Sequence, residues 1–222
     1  MGLQEKAALG GTSLSLYNGK ICKKVPPEAP GAVSRTNKDG KLVHEKFYES
    51  IEGYLVYIEK IAHQEYGDAW MVHLHDGTDP YKLRIPYTGR QTDGLLRRLP
   101  EIDLKQPITI VVGQYETVPF LTVIQNGEKV PYFWTKENPG ELPPMKLITV
   151  NNKKMWDHSI KMEYLEKYLE GKINPTLNKL HPNKTFNQDA VGSGKSKKVE
   201  EIKLPESDIT TEKPKAGKDG YD

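Results

Sequence analysis

Alternating apolar and polar residues dominate the middle of the chain and predict β-strands. An apolar and aromatic run over residues 54–61 is followed by two segments, 70–75 and 81–87, in which every second residue is apolar. Such alternation is typical of a strand that buries one face. Turn sequences rich in Gly, Asp and Pro separate the three segments, so we expect three antiparallel strands in meander order.

Two further strands and two helices are predicted along the rest of the chain. Apolar runs over 108–112 and 120–124 predict the strands, and a helical pattern over 91–99 precedes them. Three strands, a helix and two strands is the element order of an OB-fold, a five-stranded, partly open Greek-key barrel. Apolar residues at helical spacing over 156–169 predict a C-terminal helix of about four turns, which the Asn174-Pro175 pair would end or kink.

The chain divides into four regions of different composition. Residues 1–50 contain closely spaced Gly and Pro turn signals, which predict an irregular N-terminal extension. The barrel is predicted over residues 51–150 and the C-terminal helix over 151–181. Residues 182–222 carry mixed charges and few large apolar side chains, so too little surface is buried to offset the entropy of ordering, and we expect a disordered tail. The predicted fold class is mainly β.

Overall composition excludes several classes of protein. The 222-residue chain carries 32 Lys and Arg residues against 30 Asp and Glu residues, a formal net charge of +2. No stretch approaches the roughly 20 apolar residues of a spanning helix, and the first residues lack the apolar core of a signal peptide, so we expect a cytoplasmic protein without a membrane partner. Cys22 is the only cysteine, which excludes an intramolecular disulfide and a cysteine-based zinc cluster. We expect no cofactor.

Positive charge is concentrated in one central segment. Residues 81–98 contain Lys82 and four arginines against the single Asp93, with tyrosines between them. Proteins that hold single-stranded nucleic acid combine cations along the phosphates with aromatic rings on which bases stack. Strand alternation would place Lys82 and Arg84 on the polar face of the third strand, and the second and third strands form the usual oligonucleotide-binding face of an OB-fold.

These patterns predict a set of nucleic-acid-binding residues. They are His73 on the second strand, then Lys82, Arg84, Tyr87, Arg90 and Arg97. A second basic stretch, over residues 20–46, would line the same groove. A plainer interpretation stays open, because short basic stretches are often solvated faces, and the tyrosines of the third strand belong to the core if its apolar face packs inward.

Metal-dependent chemistry has weaker support in the sequence. His73 and His75, followed by Asp76, have the residue types of a metal site, but no further ligand stands at a recognisable spacing. Asp103 and Lys105 are a faint echo of the acidic-x-Lys element of metal-dependent nucleases, yet they lie in a predicted loop between two prolines. We therefore predict no metal and no enzymatic activity, with a metal-dependent nuclease as a less favoured alternative.

A non-catalytic alternative is a protein-interaction or scaffold module. Its signal is the aromatic cluster over residues 132–134, directly after Pro131. Exposed aromatic residues of this kind are typical anchors of protein interfaces. The sequence thus leaves a second class of function open beside nucleic-acid binding.

Several strings along the chain resemble one family. Residues 14–20 (LSLYNGK), residues 47–55 (FYESIEGYL), the Tyr66-Gly67 turn before Trp70, and Trp156-Asp157 followed by residues 163–165 (EYL) are similar to the single-stranded DNA-binding proteins of tailed bacteriophages. The similarity covers about residues 11–180. It implies an OB-fold that coats single-stranded DNA without sequence specificity during replication or recombination, without catalysis, and in the host cytoplasm if the chain is phage-encoded.

The resemblance also implies roles for particular residues. Tyr57 and Trp70 become stacking platforms, and Lys82, Arg84 and Arg90 become phosphate contacts. Besides single-stranded DNA, it implies partners among replication and recombination proteins. Members of this class often end in a strongly acidic tip that recruits such enzymes, whereas this chain ends in alternating charges, so recruitment through the tail is not expected. A preference for DNA over RNA rests on the resemblance alone.

Overall fold

The structure is a computed structural model that describes residues 11–37, 39–62, 67–151 and 153–182. The predicted disordered tail, apart from Pro182, and Tyr66 of the predicted turn lie outside the described residues. The strands are β1 (Thr12–Tyr17), β2 (Lys20–Lys24), β3 (Val33–Thr36), β4 (Leu42–Tyr48), β5 (Ser50–Ile61), β6 (Ala69–His75), β7 (Pro80–Pro86), β8 (Ile108–Tyr115), β9 (Val118–Gln125), β10 (Glu128–Lys129), β11 (Lys146–Val150) and β12 (Lys153–Asp157). The helices are α1 (Arg90–Leu96), α2 (Ser159–Tyr168) and α3 (Asn174–Leu180), with a 3-10 turn at Leu99–Glu101.

Ten of these strands form one mixed sheet. Their order is β10-β9-β8-β5-β6-β7-β1-β2-β4-β3. Neighbours pair antiparallel, except that β1 runs parallel to β7. The remaining two strands, β11 and β12, form a separate antiparallel hairpin. The fold is therefore mainly β, as the sequence predicts, with helices at its C-terminal end.

The five strands predicted from the sequence correspond to β5 through β9. They lie side by side in the order β7-β6-β5-β8-β9, and α1 follows β7 as predicted. Among the described residues no hydrogen-bonded ladder joins β7 to β9, so a closed barrel is not formed by strand pairing. Helix α1 contacts both strands, and it approaches β9 so closely that a Cβ on Gly94 would lie 2.0 Å from the carbonyl oxygen of Leu121.

The prediction of an irregular extension over residues 1–50 is wrong for the part that the structure describes. Four short strands, β1 to β4, occupy most of residues 12–48 and extend the sheet beyond β7. The turn signals connect strands rather than replace them. Asn18 and Gly19, both with positive φ, form the two-residue turn of the β1–β2 hairpin, a role for which Asn-Gly is strongly favoured.

The C-terminal helical region also differs from its prediction. Helix α2 begins at Ser159, so Trp156 lies on β12 and not on a helix. The Asn174-Pro175 pair does not end the helical run, because a π-helical turn at Leu169–Ile173 leads directly into α3. Pro175 is among the first residues of α3, directly after the π-helical turn.

Helices α2 and α3 complete a single hydrophobic core. Met162, Leu165 and Leu177 are each at most 2% exposed and belong to the same buried cluster as the strand residues Val72 and Leu83. The C-terminal helices therefore pack against the strands. No helix in the described ranges is long and apolar enough to cross a bilayer.

A buried asparagine joins the helices to the central strand. The pairing of β5 with β8 stops at Gly53, so the remainder of that edge needs other partners. The Asn174 side chain accepts a hydrogen bond from the Ile58 N–H at 3.2 Å and donates one to the Ile58 carbonyl at 2.8 Å. It thereby acts as a one-residue substitute for a neighbouring strand.

Candidate nucleic-acid interface

Three central strands place several of the predicted binding residues on one face. Tyr57 on β5 pairs with His73 on β6, which pairs with Lys82 on β7. The next row along the same face is Glu59, Met71 and Arg84. We call these six residues the outer face. Adjacent strands are about 4.8 Å apart, so side chains in one row are direct neighbours.

The opposite face of the same strands is core. Ile58, Val72 and Leu83 form the row between the two outer rows, and each is at most 1% exposed. The polar and apolar faces of β6 and β7 are thus divided as their sequence alternation predicts. Lys82 and Arg84 are half-buried on the outer face, where their stems lie along the sheet.

A β-bulge determines that Tyr57 belongs to this outer face. The pairing of β5 with β6 shifts register between Leu55 and Tyr57, and Val56 is the extra residue, buried at 2% exposed. Without the bulge, strict alternation would place Tyr57 on the same side as the buried Leu55. Simple alternation in the sequence gives no signal of this change.

The outer face combines two cations with an aromatic ring and one acid. The Nε2 atom of His73 lies 2.8 Å from Oε1 of Glu59, and the rings of Tyr57 and His73 have centroids 6.2 Å apart. Arg84 donates from Nη2 to the carbonyl oxygen of Gly67 at 3.5 Å. With histidine neutral, the six residues carry a net charge of +1, which is weaker than the sequence segment alone suggests.

The predicted binding residue Tyr87 lies on the core side of the sheet, opposite the outer face, and is held from three sides. Its ring stacks on Trp70 with centroids 5.6 Å apart, and the Lys60 ammonium lies 4.5 Å from the ring centroid. Its hydroxyl donates a hydrogen bond to Glu166 of α2. These contacts make Tyr87 a residue that joins the sheet to α2, and they restrict its ring.

Two pKa shifts follow from this network. Burial, followed by the hydrogen bond to Glu166, raises the pKa of Tyr87. Burial by itself would lower the pKa of Lys60, but the hydrogen bonds to Glu166 and Tyr87 outweigh it and hold that pKa above its usual range. Lys60 also lies 3.4 Å from the carboxylate of Asp68. The sequence offered no signal that Lys60 belongs to this group.

A cavity of about 560 Å³ opens beside Arg84 and Tyr87. Its walls come from β1, from the end of β7 and from the first turn of α1, and include Ser15, Asp68 and Gln91. Arg90, the first residue of α1, is exposed close to these wall residues in the chain. The outer face therefore continues towards α1 through a concave polar surface.

Two predicted binding residues are in the core instead. Trp70 is 2% exposed, and its Nε1 donates to the carbonyl oxygen of Tyr87 at 3.0 Å, so it presents no face to a base. Arg97 is 3% exposed, and its Nε donates to the carbonyl oxygen of Trp134 at 2.8 Å. Both assignments fail for the same reason, since local charge and aromaticity do not reveal the direction of a side chain.

The aromatic cluster of the protein-interaction alternative is largely internal as well. Trp134 is 2% exposed, and the ring of Tyr132 covers the buried guanidinium of Arg98 at 3.6 Å. Phe133 alone in this cluster is a large exposed aromatic, at 41%. The segment therefore mainly connects α1 to the strands through buried contacts.

The second basic stretch is divided between two faces of the sheet. Arg35 forms a bidentate pair with the buried Glu45, at 2.6 and 3.1 Å, and stacks over Tyr17. Lys23 instead lines a cavity of about 280 Å³ together with Tyr48 and several residues of β5 and β7. These residues do not all line one groove with Lys82 and Arg84, because neighbouring positions on β2 point to opposite sides.

The residues considered for metal chemistry are engaged locally. The Nδ1 atom of His75 accepts the Gly77 N–H at 2.9 Å, and the Asp103 carboxylate accepts the Lys105 N–H at 3.0 Å within the predicted turn. In the part of the chain that the structure describes, no group of three or more His, Cys, Asp or Glu side chains is arranged to hold a metal ion.

Comparisons with known proteins identify no relative. No family model matches the chain, and neither the curated proteins nor the solved structures contain a significant match.

Proposed function

We propose that this protein binds single-stranded DNA without sequence specificity, through the outer face and the neighbouring Arg90. The single observation that carries the proposal is the cross-strand row of Tyr57, His73 and Lys82, with Arg84 in the adjacent row. Tyr57, Lys82 and Arg84 are partly exposed on this face, whereas the predicted binding residue His73 is buried between them at 7% exposed. The face thus sets an aromatic ring near two cations, the combination that sequence-tolerant binders of single strands use.

We further propose that the five central strands are an OB-fold. The spatial order β7-β6-β5-β8-β9 and the helix after the third of these strands support this assignment. Contact of α1 with both β7 and β9 would take the place of a closing ladder. In that frame β6 and β7 are the second and third strands, whose face commonly binds oligonucleotides.

In the proposed mechanism, Lys82, Arg84 and Arg90 contact phosphates, and Tyr57 stacks on a base. Each phosphate contact releases condensed counterions, so affinity falls as salt rises, with a slope of roughly −0.7 per phosphate for single strands. Three contacts on this surface correspond to a slope of about −2. His73 and Glu59 hold the row in position, because His73 Nε2 and Glu59 Oε1 are hydrogen-bonded to each other.

The test is a titration of end-labelled oligo-dT, followed by fluorescence anisotropy at several salt concentrations. We expect binding that weakens with salt and that is tighter than for a duplex of the same length. Absence of binding at low salt, or equal binding of duplex and single strand, would overturn the proposal.

A matched pair of variants tests the stacking role. Tyr57→Ala should weaken oligo-dT binding about 5- to 150-fold, which corresponds to about 1–3 kcal/mol for one stacked base. Tyr115→Ala, which removes a tyrosine 74% exposed at the end of β8, should bind like the wild type. Equal losses in both variants would contradict a specific role for Tyr57.

A further inference from the structure

The β11–β12 hairpin is the most exposed apolar element of the described chain. Leu147, Met155 and Trp156 are 50% to 54% exposed, and Val150 is 44% exposed. The pair Leu147 and Trp156 lies on one face of the hairpin, whereas Ile148 and Met155 form the adjacent pair on the other. A two-stranded hairpin is marginally stable alone and normally covers one apolar face. Here apolar side chains project from both faces.

Charge on the hairpin indicates what would cover it. Lys146, Lys153 and Lys154 lie on its strands, and the acid among the strand residues is Asp157, at the base. The Asp157 carboxylate accepts the Ser159 N–H at 2.9 Å and so serves the start of α2. Lys154 lies on the same face as the exposed Trp156, whereas Lys146 and Lys153 lie on the opposite face. A lysine beside an exposed indole complements a polyanion that carries flat rings, which describes a single-stranded nucleic acid.

The base of the hairpin lies close to the proposed interface. Lys161 in the first turn of α2 contacts Asp93 in the first turn of α1, with Nζ and Oδ1 2.6 Å apart. Asp157, at the end of β12, precedes Lys161 by about one helical turn, roughly 5.4 Å. Arg90, at the start of α1, precedes Asp93 by about the same distance. A five-residue strand spans about 17 Å, so the hairpin reaches well beyond the contact.

We propose that the β11–β12 hairpin is a second contact for the same single strand, in which Trp156 stacks on a base and Lys154, on the same face, binds a phosphate. This inference rests on the proposed function. It assigns a nucleic-acid-binding role to residues outside the OB-type strands, and it extends the contacted length of strand beyond the outer face. The bound strand would pass from Arg84 across Arg90 to the hairpin.

Tryptophan fluorescence separates this contact from binding in general. Trp70 and Trp134 are each 2% exposed, whereas Trp156 is 54% exposed. Direct stacking of a base therefore quenches mainly Trp156. Binding is measured independently by anisotropy of labelled oligo-dT, with short and long oligonucleotides of about 6 and about 30 nucleotides that span the usual coverage of one OB-fold.

We expect wild-type emission to be quenched by the long oligonucleotide, and Trp156→Phe to lose most of this quenching. Trp156→Ala should weaken binding of the long oligonucleotide about 5- to 150-fold, with a smaller loss for the short one. Circular dichroism should show both variants folded, because the side chain is exposed. Unchanged quenching in Trp156→Phe would overturn the inference.

Lysine variants test the electrostatic part. Lys154→Ala should make the salt slope for the long oligonucleotide shallower by about 0.7, the value for one phosphate. A matched control on the opposite face, Lys146→Ala with Lys153→Ala, should keep the wild-type slope. Equal slopes in Lys154→Ala and the wild type would contradict a phosphate contact.

The two proposals fail differently. If the proposed function is wrong, wild-type protein binds neither oligonucleotide. If only the hairpin inference is wrong, wild-type and hairpin variants bind both lengths equally. A hairpin that instead joins two copies of the chain would make the wild type dimeric and Trp156→Ala monomeric in light scattering without DNA, and that result would also overturn the inference.

Discussion

The cations of residues 81–98 form two sets that differ in their exposure to solvent. Lys82 and Arg84 lie on the outer face and Arg90 is exposed at the start of α1, whereas Arg97 and Arg98 are at most 3% exposed. Arg98 donates to the carbonyl oxygens of Val130 and Gly94 at 2.7 and 2.6 Å. The first set is partly or fully exposed and is proposed to contact phosphates, and the second fastens a loop to α1. Charge density in a sequence thus identifies a region but not a role.

The largest effect that we expect from this contrast is a loss of stability when Arg98 is replaced. Arg98→Met removes two charge-assisted hydrogen bonds, each contributing about 1.5–3 kcal/mol, and leaves buried carbonyls without a donor, so we expect a loss of about 3–5 kcal/mol in the free energy of unfolding. Arg84→Met on the outer face should change that free energy by no more than about 1 kcal/mol. Urea denaturation measures both. Similar losses would remove the distinction between the two sets.

The binding of oligo-dT should instead depend on the cations of the outer face. Lys82→Ala combined with Arg84→Ala should leave the unfolding transition nearly unchanged and make the salt slope for oligo-dT shallower by about 1.4. The anisotropy titration at several salt concentrations measures this slope, with Lys172→Ala and Lys179→Ala as the control pair. An unchanged slope would mean that these two cations do not meet phosphates.

Tyr87 and Lys60 are an intermediate case, because they form a half-buried network on the side of the sheet opposite the outer face. The pKa of Tyr87 is raised in the folded protein, so its contribution to stability is complete below about pH 10 and is lost as the pH rises above that value. Tyr87→Phe should therefore flatten the decline of stability between pH 9 and 11. If the unfolding temperatures of the variant and the wild type decline equally with pH in that range, the prediction is contradicted.

The smallest expected effect concerns His158, next to the Lys161–Asp93 pair. Burial, with a further contribution from Lys161, lowers the pKa of His158. The unfolded chain then binds a proton that the folded protein does not, so stability is complete above about pH 6.5 and decreases as the pH falls below it. His158→Gln should lose less stability than the wild type between pH 7 and 5. A steeper loss in the variant would contradict the assigned direction.

Much of the central sheet could be predicted from the sequence because its signals are local. Period-two alternation over β6 and β7 fixed both their existence and their buried faces, and Pro100 marked the end of the α1 region. The strands of the N-terminal region were missed because each is short and because their Gly and Pro turn signals were interpreted as irregular chain, although Asn18-Gly19 is a favoured hairpin turn. Pairing of β1 with β7 depends on residues that no local window contains.

The candidate site was only partly predictable for a related reason. Lys82 and Arg84 were assigned correctly to the polar face, since alternation on β7 is regular. Tyr57 reaches that face only through a one-residue irregularity at Val56. Trp70 was assigned as a stacking platform on the basis of the family resemblance. Its position in the alternating pattern of β6 already predicted a buried side chain, and the structure buries it.

The parallel pairing of Thr12 with Tyr81 has a consequence for biosynthesis. Strand β1 has its hairpin partner β2 next to it in the chain, but its other neighbour, β7, begins only at Pro80, and such sequence-distant pairing is intrinsically slow. Until β1 is docked, the completed β7 keeps a bare row of N–H and C=O groups along one edge, a template for unwanted intermolecular pairing. Truncation before Tyr17 should therefore reduce recovery of monomer at high expression more than any substitution on the outer face.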